Sequence, residues 1–165
     1  MNRILFTAIG LMLLFSSILK LIYNNYTRES IKKMDIFPAN LTEIIAFLMP
    51  IFELFLSVFF ISNPNLIINA LYIGYLLFFI ILNLKMYKGN VSKECCCYGK
   101  LLKSKLGLGG MIHYLYWLVI LIISIIDKKV GLFENNDNSI VNIILLCLLV
   151  VANSLFIRRS IESIS

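Results

Sequence analysis

The chain has 165 residues, of which 60% are hydrophobic and 15% charged, and a formal charge of +6. Soluble domains average about 45–50% apolar and about 25% charged residues, and a water-soluble fold this small has no interior large enough to hide so much oil. An ordinary soluble domain is therefore excluded. Nucleic-acid binding is a poor explanation of the positive charge, because membrane proteins keep Lys and Arg in their loops.

The expectation is an all-α integral membrane bundle with four to five transmembrane helices, forming one domain over 1–165. A bilayer core about 30 Å thick takes about 20 helical residues. The first candidate span is about Ile4–Tyr23. Arg3 before an apolar run suits a signal peptide, but "FSSILKLIYNN" has no small-x-small cleavage site, so a retained helix is expected. Lys20 lies near its end and either snorkels to the interface or joins a polar vestibule.

Tyr26–Asn40 is polar enough for a loop or a short interfacial helix, stopped near Pro38. The second span is about Leu41–Ile61. Glu53 lies about 12 residues into it, roughly 18 Å deep at about 1.5 Å per residue. An ionisable group there is costly, faces the bundle interior and is a functional candidate by default. A protonated, hydrogen-bonded structural Glu is the plainer reading. With both helix ends level, Glu53 is too deep to touch Lys20. Pro50, one turn earlier, frees a backbone carbonyl and is expected to kink the helix.

"SNPN" (Ser62–Asn65) is a tight turn that makes an antiparallel hairpin with the third span, about Leu66–Tyr87. Asn83 lies near its end. The longest connection, Lys88–Gly107, is basic and holds three of the four cysteines. "GLGG" (Gly107–Gly110) opens the fourth span, about Leu108–Ile126. No strand precedes it, so it is a pliable or closely packed helix start rather than a nucleotide loop. His113 follows. The polar turn Asp127–Ser139 leads to the fifth span, about Ile140–Ile157, where Cys147 sits among Leu and Ile as a small buried apolar residue or, less simply, a resolving thiol. Tyr23, Tyr26, Tyr87, Tyr114, Tyr116 and Trp117 lie towards one set of helix ends, as headgroup-level rings or as ordinary packing.

Five spans put the first and third connections on the side of the C-terminus. That side carries Arg28, Lys32, Lys33, Lys85, Lys88, Lys93, Lys100, Lys103, Lys105, Arg158 and Arg159, against Arg3, Lys128 and Lys129 opposite. Positive residues stay cytoplasmic. A cell-membrane protein with a cytoplasmic cysteine loop is expected.

"KECCCYGK" (Lys93–Lys100) concentrates the sulfur. A Cys95–Cys97 disulfide needs a bent backbone to reach the usual Cα separation of about 4.4–6.8 Å. A strained bond is more easily reduced, which suits exchange rather than stapling. Cys96 is the spare, since adjacent pairing is more strained still. Lys93, Lys100, Lys103 and Lys105 favour thiolate, and Glu94 opposes them. Structural zinc usually takes four ligands at Cys-x₂₋₄-Cys spacing, which three contiguous cysteines and a distant His113 fit badly. No metal site is assigned. A soft-metal site, inert cysteines or lipid attachment remain alternatives.

In order along the chain, "SSILKL" with Lys20, "MDIFPANL", "LMPIFELFL" with Pro50 and Glu53, "ILNLKMYKG" with Asn83, and "CCCYG" with Cys95 and Cys97 resemble the MauE/DoxX-like family of small membrane proteins. The resemblance covers about Leu5 to Ile126. Cys96 stands where the family motif has glycine and Tyr98 where it has Phe. The Arg-Asn often found in the fourth helix is replaced by His113–Tyr114.

The resemblance implies a helical bundle associated with thiol–disulfide chemistry, alongside a thioredoxin-like or other redox partner in methylamine dehydrogenase maturation. On this reading Cys95, Cys97 and Glu53 carry the chemistry, with Cys96, Lys20, Asn83 and His113 as accessory residues. No motif points to a bound cofactor. A lipid quinone is chemically compatible as electron acceptor, with no motif of its own. A different class of reading is a non-enzymatic membrane protein, such as a peptide-immunity protein or a transporter accessory subunit.

Overall fold

The computed structural model describes residues 2–34, 38–88, 94–95, 104–105, 107–130 and 140–164. It contains α1 (Asn2–Ile22), α2 (Asn24–Met34), α3 (Ala39–Ser62), α4 (Leu66–Lys88), β1 (Glu94–Cys95), β2 (Ser104–Lys105), α5 (Leu108–Val130) and α6 (Ile140–Ile164). Among the described residues four helical stretches are long and apolar enough to cross a membrane: Leu5–Ile22, Asn40–Ser62, Leu66–Lys88 and Leu108–Ile126. This is an all-α membrane bundle, to which α6 adds a further long helix.

Local chemistry sets the element ends. Tyr23 is the one residue between α1 and α2, yet Tyr23 N donates to Leu19 O (3.0 Å) and Thr27 N to Tyr23 O (3.0 Å), so the chain continues with little change of course. The polar stretch after the first span is thus a helix of 11 residues. It buries Thr27, Ser30, Ile31 and Met34 and turns Arg28, Glu29, Lys32 and Lys33 outward.

Pro38 precedes α3, and its carbonyl accepts from Leu41 N (2.9 Å) and Thr42 N (3.2 Å). Proline lacks an N–H, which costs nothing at a helix start where that donor has no intrahelical acceptor. The α3 helix is assigned without interruption through Pro50. At the next turn Asn65 Oδ1 accepts from Ile68 N (2.9 Å), the geometry of an N-cap for α4.

The core is built around α1, which packs most extensively on α3 and also touches α2, α5 and α6, while α4 packs mainly on α5. Gly10 lets α1 and α3 close up. A Cβ there would lie 2.7 Å from Ile61 Cγ1 and 3.1 Å from Ser57 O, and Ser57 Oγ donates to Gly10 O at 2.8 Å. Small residues allow such approach where lipid supplies no hydrophobic drive between helices.

Rings fill the layer between α3, α4 and α5. Phe60 and Tyr72 meet edge-on with centroids 5.1 Å apart, and Phe79 stacks on Tyr114 at 4.9 Å. Tyr114 and Trp117 are buried, so these two rings of the expected headgroup belt are packing residues instead. Tyr87 is exposed. Outside, α3 presents Ile44, Phe47, Leu48, Ile51, Phe55, Val58 and Ile61. Exposed apolar surface on that scale is what lipid covers.

Candidate functional site

Pairs across α1 and α3 fix their register. Ser57 meets Gly10 and Ser16 meets Glu53, so one residue number falls as the other rises and the helices are antiparallel. In this register Lys20 faces the level of Phe47 to Met49, a turn or more from Glu53. Helical side chains lean towards their own N-terminus. In an antiparallel pair the Lys20 and Glu53 side chains therefore lean towards each other and close that turn.

The Lys20 Nζ donates to Glu53 Oε1, forming a buried ion pair. This corrects the expectation that Glu53 is out of reach. The helix ends are not level: α3 begins beyond the end of α1 and packs its first turns on α2, where Arg28 pairs with Glu43. Nor does Lys20 snorkel, as it is 1% exposed.

Two further donors complete the Glu53 cluster. Ser16 Oγ donates to Oε2 at 3.0 Å, and Tyr75 Oη of α4 donates to Oε1. A carboxylate is an acceptor-only group with room for several donors, so a cation and two hydroxyls from two helices converge on it without competing. Glu53 itself is fully buried. A buried charge is tolerable when paired and hydrogen-bonded in this way.

Asn83 does something different. Its Oδ1 accepts from Gly107 N at 3.1 Å, and its Nδ2 donates to Phe79 O at 2.7 Å. Gly107 has φ +139, a conformation L side chains rarely adopt. Gly110 follows one turn on, where a Cβ would lie 2.1 Å from Asn83 Oδ1. Asn83 is thus a clamp that fixes the end of the cysteine connection to α4; Gly110 makes room for it, and Gly107 supplies the backbone conformation.

His113 is buried in α5, hydrogen-bonded to the backbone of Ser154 and within the field of Arg158, both on α6. Lys20, Asn83 and His113 thus have separate hydrogen-bond partners. Each serves a different contact.

In the cysteine connection, β1 and β2 pair antiparallel, with Glu94 opposite Lys105 and Cys95 opposite Ser104. β2 rests on α5 and α6. Cys96 and Cys97 lie outside the described residues, and Cys95 is placed by its backbone. Cys147 is buried in α6. Among the described residues no three His, Cys, Asp or Glu side chains group as metal ligands.

The residues that sequence reasoning missed are Ser16 and Tyr75. A serine in "SSILKL" and a tyrosine in an aromatic helix carry no signal until tertiary register brings them to Glu53. Arg158, buried at the cysteine end of α6, had served only in the charge count.

No curated protein matches the chain, and no solved structure does. A family match accounts for its ordered motifs: residues 2–127 match the family described as methylamine utilisation protein MauE, and the chain belongs to that family.

Proposed function

We propose that the protein is a membrane thiol–disulfide carrier. The observation that carries the reading is a Cys-x-Cys sequence in a MauE-family chain, with Cys95 on a strand, β1, paired to β2. Cys95 or Cys97, as thiolate, attacks one sulfur of a partner's disulfide. The S–S bond breaks, a mixed disulfide forms and one partner thiolate leaves. The second cysteine then attacks the first, releasing the other partner thiolate and leaving a Cys95–Cys97 disulfide. The partner gains two electrons and the carrier loses two electrons and two thiol protons. A second dithiol returns the carrier to its reduced form by the reverse steps.

In this reading the partner is a thioredoxin-like or other redox protein. Cys96 is a spare thiol and Asn83 holds the hairpin base, while Glu53, with Lys20, relays a proton or gates the bundle. The cysteines face the cytoplasm by the charge count. Methylamine utilisation enters through the family description alone.

The test is trapping. With the resolving cysteine replaced, Cys97→Ser or Cys95→Ser, the full chain in membranes accumulates a mixed disulfide with a disulfide-bearing thioredoxin-like protein, visible on a non-reducing gel. The Cys95→Ser/Cys97→Ser double variant loses it. Trapping unchanged in the double variant refutes the mechanism.

A further inference from the structure

Next to the Glu53 cluster, α1, α4 and α5 surround a cavity of about 10 Å³, with Ser16, Tyr72, Tyr75, His113 and Trp117 among its walls. That is the lower end of what one water molecule needs. A dry cavity this size is apolar, whereas a hydrated one offers two to four polar partners. Here the partners are present. Tyr75 Oη spends its proton on Glu53, which leaves its oxygen lone pairs to accept.

Trp117 supplies the matching donor. Its side chain is fully buried, and its Nε1 has no acceptor among the described residues. An indole nitrogen is a donor only, and buried tryptophans normally place that N–H on a partner. Tyr75 and Trp117, which carry an acceptor and a donor, line the same small space. Water satisfies both kinds at once.

We infer that this cavity is a one-water hydration site, in which the water accepts from Trp117 Nε1–H and donates to Tyr75 Oη. The site ties α5 to the carboxyl shared by α1, α3 and α4. It also extends the polar chain from Glu53 towards His113, which lies about 8 Å along α5 from its start at the cysteine end. The hydration site does not depend on thiol exchange and stands or falls separately from it.

Trp117 is the only tryptophan in the chain, so its fluorescence reads this cavity alone. The experiment compares emission maximum and lifetime of the full chain in detergent, in H₂O and in D₂O, with those of two apolar cavity-filling variants, Leu76→Phe and Leu13→Phe. Leu76 and Leu13 line the cavity, and neither side chain carries a polar group that binds Glu53. The native chain is expected to show a lifetime increase in D₂O, and a filled variant that keeps native helicity is expected to show a smaller one, with emission shifted to shorter wavelength. A native chain with no D₂O effect overturns the inference, whatever the variants do. So does an increase of native size in a helical filled variant, since exchange of the indole N–H itself is common to all the chains and only the share of the water is lost on filling. Repeating the native measurement on the Cys95→Ser/Cys97→Ser chain keeps the outcome independent of the sulfur chemistry.

Discussion

A carboxyl group held by three donors from two neighbouring helices behaves as a unit, so its parts are expected to be non-additive. Lys20→Met leaves Glu53 buried without its cation, and Glu53→Leu strands Lys20. Each single change is expected to cost about 3–5 kcal/mol, whereas removing both charges together is expected to be close to neutral. Thermal unfolding of the four chains in detergent, arranged as a double-mutant cycle, checks this. Additive losses would contradict it. Tyr75→Phe removes one donor and is expected to cost about 1–3 kcal/mol, read from the same unfolding curves.

The exposed Arg28–Glu43 pair is a contrast case, worth no more than about 1 kcal/mol. Glu53 was legible in the sequence because a charge in an apolar run is conspicuous. Ser16 and Tyr75 were not, because their role exists only once helix register is set. The Lys20 contact was missed because level helix ends were assumed and the lean of helical side chains was not counted.

At the scale of elements, the four helical stretches apolar enough to cross a membrane fall on the first four apolar runs, and the Ser62–Asn65 segment separates α3 from α4. The polar segment before Pro38 could be read as loop or helix, since its composition allows both. Burial of Ile31 and Met34 against the bundle decides for α2. The two-residue strands around the cysteines had no signal, being too short to show alternation.

The contact that matters most at this scale is the Asn83 clamp. Gly110→Ala drives a Cβ into Asn83 Oδ1 and is expected to destabilise by about 1–3 kcal/mol. Combining it with Asn83→Ala, which vacates that space, is expected to cost less than the sum of the two single changes. Hydrogen exchange at Gly107, whose N–H the clamp holds, is expected to speed up in Asn83→Ala. Unchanged exchange there would show that the clamp does not set the local order.

For the whole molecule, family and fold follow from ordered motifs and hydropathy, whereas sidedness follows from the loop charges alone. Those charges predict that a membrane-impermeant maleimide leaves the cysteine connection unlabelled on intact cells and labels it after permeabilisation. Labelling of intact cells would reverse the orientation.

The central claim is that the bundle exists to present one exchangeable pair of thiols, and a redox titration of the full chain in glutathione buffers tests it most directly. With free thiols alkylated and weighed by mass spectrometry, the account predicts a reversible loss of two alkylation sites. That loss should persist in Cys96→Ser and Cys147→Ser and vanish in Cys95→Ser or Cys97→Ser. Cysteines that stay fully alkylated across the titration, or a loss that survives both of the latter substitutions, would contradict it.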